Sequence, residues 1–522
     1  MITARRDYSS FATHVALLAF AAVYWGSYSN INAPFIYHAD EPDVISRAAR
    51  MALTGDLNPH WFHYPSLVIY AHAGILKLLQ FLFDAPLPLC LPLSVRGVNP
   101  EVFDIYHTAR IATVCFSLGT LYLILRLTSR MTSPLLASLA GLTFIGSNLV
   151  RESAAYVTLE MPMAFFVTAS LMQLVAFTDS AERGQCRERH LWSAVIFGGL
   201  AAGSKYNGAA VLFAVPLAIW LVRKPFRWVL SRLTLAVLLS IAVFVVTTPY
   251  SILDIKTFLD PAVGMPYDFV HYSSGHPGAD QGVSLFKAIN SLLNQHSFLV
   301  LFALLSPLAA REITTRKPLA LAGAASILFL GMVSTAKVYF PRHLLPSLPA
   351  LCCLTAVGVW GAFGTSLSAL ERKRTAVRAK LPLIIVFVLA GWILFQRTRA
   401  TWQEMRRPDN RTLAYEWITA AVPAGSRILY EAYCPQLYFA GKFRTGWAWT
   451  ISRIPFEEIV LNYDYVVISE MQWPRYRAFG FRSYDPLFKF PLLREWPSEA
   501  GRSRGPAIRI YAISRNSDIN RR

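Results

Sequence analysis

The chain has 522 residues, of which 54% are hydrophobic and only 16% charged, and its mean hydropathy is +0.38. Soluble proteins carry about 25% charged residues, so this composition excludes an ordinary cytosolic enzyme, a disordered chain and a disulfide-built secreted scaffold, and indicates a polytopic membrane protein. The net charge of +19 comes from short basic clusters set between apolar runs, a topology signal rather than a nucleic-acid patch.

The first apolar run, Phe11 to Tyr28, follows Arg5 and Arg6 and reads as an uncleaved signal anchor with a cytoplasmic N-terminus. Later runs lie near 106–126, 134–150, 161–178, 190–203, 206–222, 229–248, 292–310, 318–335, 341–363 and 381–396. The basic clusters around Arg126, Arg187, Arg227, Arg316 and Arg374 all become cytoplasmic in one scheme of about eleven spans, nine to thirteen at the limits, with the C-terminus outside. In that scheme 66–83 does not fully cross, and 191–222 crosses twice by turning at Gly203-Ser204-Lys205-Tyr206-Asn207. The rival scheme, in which 66–83 crosses and 191–222 is a single span, moves Arg126, Arg130, Arg183, Arg187 and Arg189 outside, against the positive-inside bias. Two domains follow: a membrane domain, 1–396, with a large outer loop at 32–105, and an extracytoplasmic tail, 397–522. The tail has helical spacing over Arg411 to Ala421 and strand-like runs at Arg427 to Tyr433, Tyr463 to Ser469 and Arg509 to Ile513, which predicts a small α/β domain.

The first outer loop contains His38-Ala39-Asp40-Glu41-Pro42-Asp43 and, further on, His60-Trp61-Phe62-His63-Tyr64-Pro65. Pro42 suits the first turn of a helix that starts at Asp40 or Glu41, and Asp43 and Arg47, four apart, can pair on it. Such a helix lies along the membrane surface, either as a capped interfacial helix or as the carrier of a functional acid. Adjacent carboxylates just after a span are costly when partly buried, and one placed there can take a proton from an acceptor hydroxyl. His38, His60 and His63 lack a clear metal-ligand set, so interfacial residues are the simpler reading. Glu160 stands at the mouth of an apolar run, as a loop acid or as a second carboxylate across a cleft. Lys205 lies within an apolar stretch and needs water or an anionic partner such as a lipid phosphate. Lys337 and Arg342 are cations on the outer side, and the Arg342 fork suits a phosphate or a lipid headgroup. His276, in Gly275-His276-Pro277-Gly278, is a turn residue or a substrate contact.

Several motifs follow one another in a fixed order: Asp40-Glu41, Gly55-Asp56-Leu57-Asn58-Pro59, His63-Tyr64-Pro65-Ser66, Glu160 ahead of Pro162, Ser204-Lys205-Tyr206, Thr248-Pro249-Tyr250 with Asp254, and Arg342-His343-Leu344-Leu345-Pro346. This ordered set resembles the bacterial branch of the dolichyl-phosphate-mannose protein mannosyltransferase-like superfamily, which includes the lipid A aminoarabinose transferases. The resemblance covers 10–363, and the tail more loosely. It implies a GT-C fold: a polytopic α-helical membrane protein with surface helices in the first outer loop, taking its sugar from a polyprenyl-phosphate donor. Carried over, Asp40 is the catalytic base, Glu41 and Glu160 shape the acceptor or sugar site, and Lys205, Lys337 and Arg342 hold the donor phosphate. His63, Tyr64 and His276 are then substrate contacts. Two departures stand out: the family's second acid is commonly Asp, one methylene shorter than Glu160, and His63-Tyr64-Pro65 replaces a basic residue of the aminoarabinose branch.

The resemblance implies transfer of a hexose or pentose to a lipid, glycan or protein acceptor, and a base opposite the leaving phosphate predicts inversion. Long polar loops on one side with short basic loops on the other make the outer face the working face, in a bacterial inner membrane by the high arginine content and the single multi-span chain. Membrane lipids are partners and nucleic acid is not. No cofactor is called for, and a divalent metal is left open. The alternatives are a transporter or flippase of lipid-linked glycans, for which repeats and midplane charges are expected, and a receptor or assembly subunit working through 397–522.

Overall fold

The computed structural model describes residues 8–30, 38, 40–83, 102–274, 280–281, 285–311, 313–372, 377–478, 484–498 and 502–513. Every apolar run read from the sequence is helical. The bundle is built from α1 (Tyr8–Ser29), α2 (Asp40–Thr54), α3 (Leu67–Phe83), α4 (Val102–Met131), α5 (Pro134–Ile145), α6 (Asn148–Ala155), α7 (Glu160–Glu182), α8 (Glu188–Ser204), α9 (Ala214–Leu221) and α10 (Phe226–Thr247). Two single turns, α11 (Tyr250–Leu253) and α12 (Ile255–Phe258), lead to α13 (Met265–Ser274) and α14 (Leu285–Ser291). The long helices α15 (Ile313–Thr335), α16 (Leu348–Arg372) and α17 (Val377–Met405) complete it.

The chain is a multi-pass membrane protein. Among the described residues seven helices are long and apolar enough to cross a bilayer, within α1, α4, α7, α10, α15, α17 and the Pro341–Phe363 segment that includes α16. The pair Leu285–His296 and Phe298–Ala310, bent by 113°, makes an eighth if it is one broken span. The other expected spans are shorter: α5 has 12 residues and α8 has 17, and Tyr206–Leu221 is half 3-10 helix. Other helices bury much of α5, which therefore meets little lipid. Burial separates centre from rim: 89% of the apolar window that includes α16 is buried, against 6% of that of α10. Close packing on α16 needs Gly358, where a Cβ would fall 1.7 Å from the Phe302 carbonyl oxygen.

The chain turns back at Lys205, as the charge pattern predicts. Lys205 is extended (φ −153°, ψ 135°), and the 3-10 helix Tyr206–Phe213 runs antiparallel to α8. A Cβ on Gly208 would lie 2.3 Å from the Ala201 carbonyl oxygen, so only glycine allows this approach. One end of α7 holds Glu160; the other, about 33 Å away at 1.5 Å per residue, holds Glu182, paired with Lys317 at 3.1 Å. Arg130, Arg183 and Lys317 lie around Asp179 near that second end, where Arg232 also pairs with Glu188 at 2.8 Å. Arg374 itself falls outside the described residues.

At the first end α2 and α3 form a cap. The α2 positions Val44, Ile45, Ala48, Ala49 and Ala52 recur at helical spacing and bury one face against α3, α4, Val157 and Leu159. As predicted, Pro42 lies in the first turn of α2, and Arg47 reaches Asp43 at 3.3 Å.

Helix α17 runs unbroken to Met405, so the predicted boundary at 397 falls inside it. Beyond it comes a five-stranded sheet of order β4-β3-β5-β7-β6. A two-stranded pairing, β1 (Asp280–Gln281) with β2 (Val338–Tyr339), precedes it in the chain. The sheet consists of β3 (Arg427–Glu431), β4 (Arg444–Ala448), β5 (Tyr465–Ser469), β6 (Leu492–Trp496) and β7 (Ile508–Ala512). Strands β4 and β5 both run parallel to β3, whereas β7 is antiparallel to β5 and β6. Separate apolar clusters cover the two faces, one of them including α18 (Asn410–Ala421). The predicted strands are β3, β5 and β7. The two edge strands went unpredicted because their half-exposed residues carry no apolar run.

Candidate active site

Two helix N-termini meet at the capped end of the bundle, and each begins with an acid: Asp40 opens α2 and Glu160 opens α7. A helix N-terminus carries partial positive charge and favours an anion there. Two cations come from elsewhere in the chain. The α8 turn brings Lys205, whose Nζ donates to Glu160 Oε1 at 2.7 Å. The 3-10 helix Pro341–Ser347 brings Arg342, whose Nη2 lies 3.1 Å from Asp40 Oδ2 and whose Nε lies 3.4 Å from Glu160 Oε1. The Lys205 and Glu160 side chains are nearly sealed from solvent, at 7% and 3% exposure. Asp40 and Arg342 are the open side of the cluster, at 22% and 28%. Among the described residues the buried Arg342 Nε has no hydrogen-bond acceptor, and the Glu160 carboxylate stands beside it as an ion pair at 3.4 Å.

Tyr64 lies close by, with Lys205 Nζ 5.8 Å from its ring centre. Asp268, on α13, lies within electrostatic reach of both Lys205 and Asp40. Burial pushes its carboxyl up to about 7, the Lys205 ammonium opposing the rise and the Asp40 carboxylate adding to it. A cavity of about 290 Å3 opens beside Arg342, lined among others by His38, Glu152, Tyr156, Gln295 and Phe340. His38 accepts from the Asp40 backbone N–H at 3.3 Å and stacks on Tyr156, so the cavity adjoins the start of α2.

The structure thus brings Asp40, Glu160, Lys205 and Arg342 together, with Tyr64 beside them. Lys205 has an anionic partner, as expected of a buried lysine, and that partner is Glu160. Glu41 needs correction as a substrate-site acid. It is fully buried; Arg110 donates to both its oxygens at 2.7 and 2.8 Å, and the Val157 N–H adds a third bond at 3.0 Å. Its oxygens are spent on bracing α2 against α4. Lys337 is exposed and takes no part in the ion pairs that join the cluster. His63 stacks on Tyr267 at 3.9 Å with Nε2 2.9 Å from the Ala262 carbonyl. His276 lies outside the described residues. His60 turns to Asp56 at 2.9 Å, so the loop histidines do not converge. Among the described residues no three His, Cys, Asp or Glu side chains gather as metal ligands.

A family model described as dolichyl-phosphate-mannose-protein mannosyltransferase matches residues 95–255, a stretch that holds Glu160 and Lys205. The crystal structure of ArnT from Cupriavidus metallidurans bound to undecaprenyl phosphate is similar over 95% of this chain and 97% of that one, with TM-score 0.59 and 16% identity. The chain has the GT-C fold. The oligosaccharyltransferase of Archaeoglobus fulgidus in its apo form is also similar, over 97% of this chain and 75% of that one, with TM-score 0.54 and 13% identity. Curated protein sequences include no match.

Sequence reasoning missed three residues of this GT-C chain. Arg110 carried a signal, because a charge within an apolar run needs a partner. Asp268 sits in the first turn of α13 with nothing local to mark it. Tyr433, from the C-terminal sheet, lies within electrostatic reach of Asp40 and Arg342, and burial raises its phenol above the usual range. No pattern along the chain announces that contact.

Proposed function

We propose that this chain is a membrane glycosyltransferase that moves a sugar from a polyprenyl-phosphate donor to a hydroxyl of a lipid, glycan or protein acceptor, with inversion. The observation that carries the reading is the arrangement of Asp40 and Glu160, at two helix N-termini, around Lys205 and Arg342. The bound undecaprenyl phosphate of the ArnT structure supports the donor class. So does the dolichol-phosphate of the archaeal oligosaccharyltransferase AglB from Archaeoglobus fulgidus, a structure with TM-score 0.52 and 12% identity.

A donor phosphodiester carries one negative charge, and the departing polyprenyl phosphate gains a second. Cations placed where that charge develops stabilise the transition state more than the ground state. Arg342, on the open side of the cluster, and Lys205 fill that role. When a phosphate oxygen takes the Arg342 fork, the Asp40 oxygens are released to accept the acceptor hydroxyl. Asp40 takes its proton as the new oxygen–carbon bond forms opposite the breaking bond to phosphate. Glu160 holds Lys205 and Arg342 in place between turnovers. The cavity beside Arg342, about 290 Å3, lies at the small end of ligand sites, which start at about 300 Å3. The working end faces away from the cytoplasm of a bacterial inner membrane, a reading supported by Arg130, Arg183, Lys317 and Arg232 at the opposite end.

The test uses full-length protein in lipid nanodiscs with a panel of undecaprenyl-phosphate sugars, following free undecaprenyl phosphate. Release with at least one donor, lost in Arg342→Gln, is expected. In sealed proteoliposomes, donor carried across the membrane without release would instead identify a flippase.

A further inference from the structure

Helix α17 supplies none of the residues that line the cavity beside Arg342, yet one of its faces grips segments that do. Arg397, Thr401 and Glu404 follow one another at helical spacing and share that face. Arg397 answers two helix C-termini at once. Its Nη1 donates to the carbonyl of Gly146, where α5 ends, and to the carbonyls of Gln295, at 3.0 Å, and His296. Its Nη2 donates to the Asn294 carbonyl at 3.3 Å. The last carbonyls of a helix have no partner within it and carry partial negative charge, so a guanidinium with five N–H donors suits both ends.

Both ends are places where the chain changes direction. The turn Leu292–His296 stops at the extended Ser297 (φ −177°), and the two limbs of that broken pair are bent by 113°. A helix does not run through an extended residue, so tertiary contacts set the angle of the bend. The other end is a corner, because α6 starts two residues after Gly146. The cavity takes Gln295 from the break, and Glu152 and Ser153 from α6. Thr401, fully buried, makes the second hold on α6. Its hydroxyl accepts from Arg151 Nη1 at 2.8 Å, meets the Tyr24 hydroxyl at 2.9 Å and donates to the Arg397 carbonyl at 2.8 Å. Arg151, next to Glu152, also comes within 3.7 Å of Glu404 and lies over the ring of Tyr28, which lines the cavity from α1.

We propose that Arg397 and Thr401 are positioning residues, which hold the break after His296 and the start of α6 at the spacing that lets the cavity beside Arg342 take the group carried by the donor phosphate. They act through Gln295 and Glu152 and touch no substrate. The inference rests on the glycosyltransferase reading above, in which the Arg342 fork takes that phosphate and the cavity lies where the linked group must go. A displacement of about 1 Å at such a wall costs up to about 10²-fold in rate.

The experiment uses full-length protein in lipid nanodiscs. It measures the donor kcat/KM with the undecaprenyl-phosphate sugar that wild type cleaves, per site able to bind undecaprenyl phosphate, which has no sugar. Counting sites in this way removes unfolded protein from the comparison. Arg397→Gln is expected to lower the donor kcat/KM about tenfold and Thr401→Val about threefold, with undecaprenyl phosphate affinity within about twofold of wild type in both. Thr401→Ser, which keeps the hydroxyl, is expected to restore wild-type values. Thr401→Val keeps the shape of the side chain, so the Thr401 pair decides the matter even where Arg397→Gln does not fold. Wild-type kcat/KM in Thr401→Val, equal losses of kcat/KM and undecaprenyl phosphate affinity, or a Thr401→Ser protein as impaired as Thr401→Val overturns the positioning role and leaves the transferase standing. Absence of release by wild type with any donor fails the underlying reading instead.

Discussion

Lys205→Met separates the structural from the chemical part of the cluster. The substitution keeps the length and apolar stem of the side chain but removes its charge, leaving Glu160, 3% exposed, with the Arg342 Nε at 3.4 Å as its ion-pair partner among the described residues. Removing one partner of a buried pair costs about 3–5 kcal/mol, because the other charge stays buried without compensation. The remaining Arg342 contact sets the expectation at the low end, about 3 kcal/mol. Replacing both members by apolar residues removes the orphan: Lys205→Met/Glu160→Leu is expected within about 1 kcal/mol of wild type, a coupling of about 2 kcal/mol or more. Arg342→Gln lies on the open side of the cluster, where the cost is about 1 kcal/mol or less. Reversible unfolding by sodium dodecyl sulfate in mixed micelles ranks the four proteins. A single Lys205→Met variant as stable as wild type, or no more damaging than Arg342→Gln, would refute the reasoning.

The pH behaviour offers two further checks. Asp268 ionises as pH rises through about 7, adding a negative charge beside Lys205, so donor KM rises over that interval in wild type and stays flat in Asp268→Asn; a flat wild-type profile counts against the placement of Asp268. Burial pushes the Glu431 carboxyl up to about 8 from its ordinary 4.5, so the folded state holds a proton that the unfolded chain releases. Its contribution is therefore fully present below pH 4.5 and is lost as pH rises through 8. Hydrogen exchange at the β3 and β5 amides is expected to quicken between pH 5 and 9 in wild type beyond the intrinsic rate, and much less in Glu431→Gln. Gly208→Ala forces the 3-10 helix off α8, costs about 1–3 kcal/mol, and displaces Lys205; retained thermal stability together with full transfer would show that the hairpin tolerates the shift.

Much of this arrangement is legible along the chain wherever the signal is local. Apolar runs become helices because each buries or exposes a continuous face to the same solvent. The start of α2 is readable because Asp40 and Pro42 suit a first turn, and the turn at Lys205 because only one topology keeps the arginine clusters together. Glu160, Lys205 and Arg342 are visible as charges at the mouths of apolar runs. Their pairing is not visible, since Glu160 and Lys205 are 45 residues apart and the contact exists only once α7 and α8 pack. Glu41 illustrates the limit: its sequence position beside Asp40 suggests shared duty, yet consecutive helical residues point about 100° apart, and the one facing inward met Arg110. Tyr433 and Asp268 arrive from distant segments with no periodic or compositional mark, and β4 and β6 lack an apolar run because each is covered on one side only.

The central claim is that Asp40 takes the acceptor proton in a cluster whose cations hold the donor phosphate. Single-turnover transfer from the active undecaprenyl-phosphate sugar, compared between wild type and Asp40→Asn with donor binding measured in parallel, tests it most directly. The account predicts unchanged donor binding within a few fold and a transfer rate lower by about 10²–10⁴, the range a general base supplies. Equal transfer rates in the two proteins would contradict it.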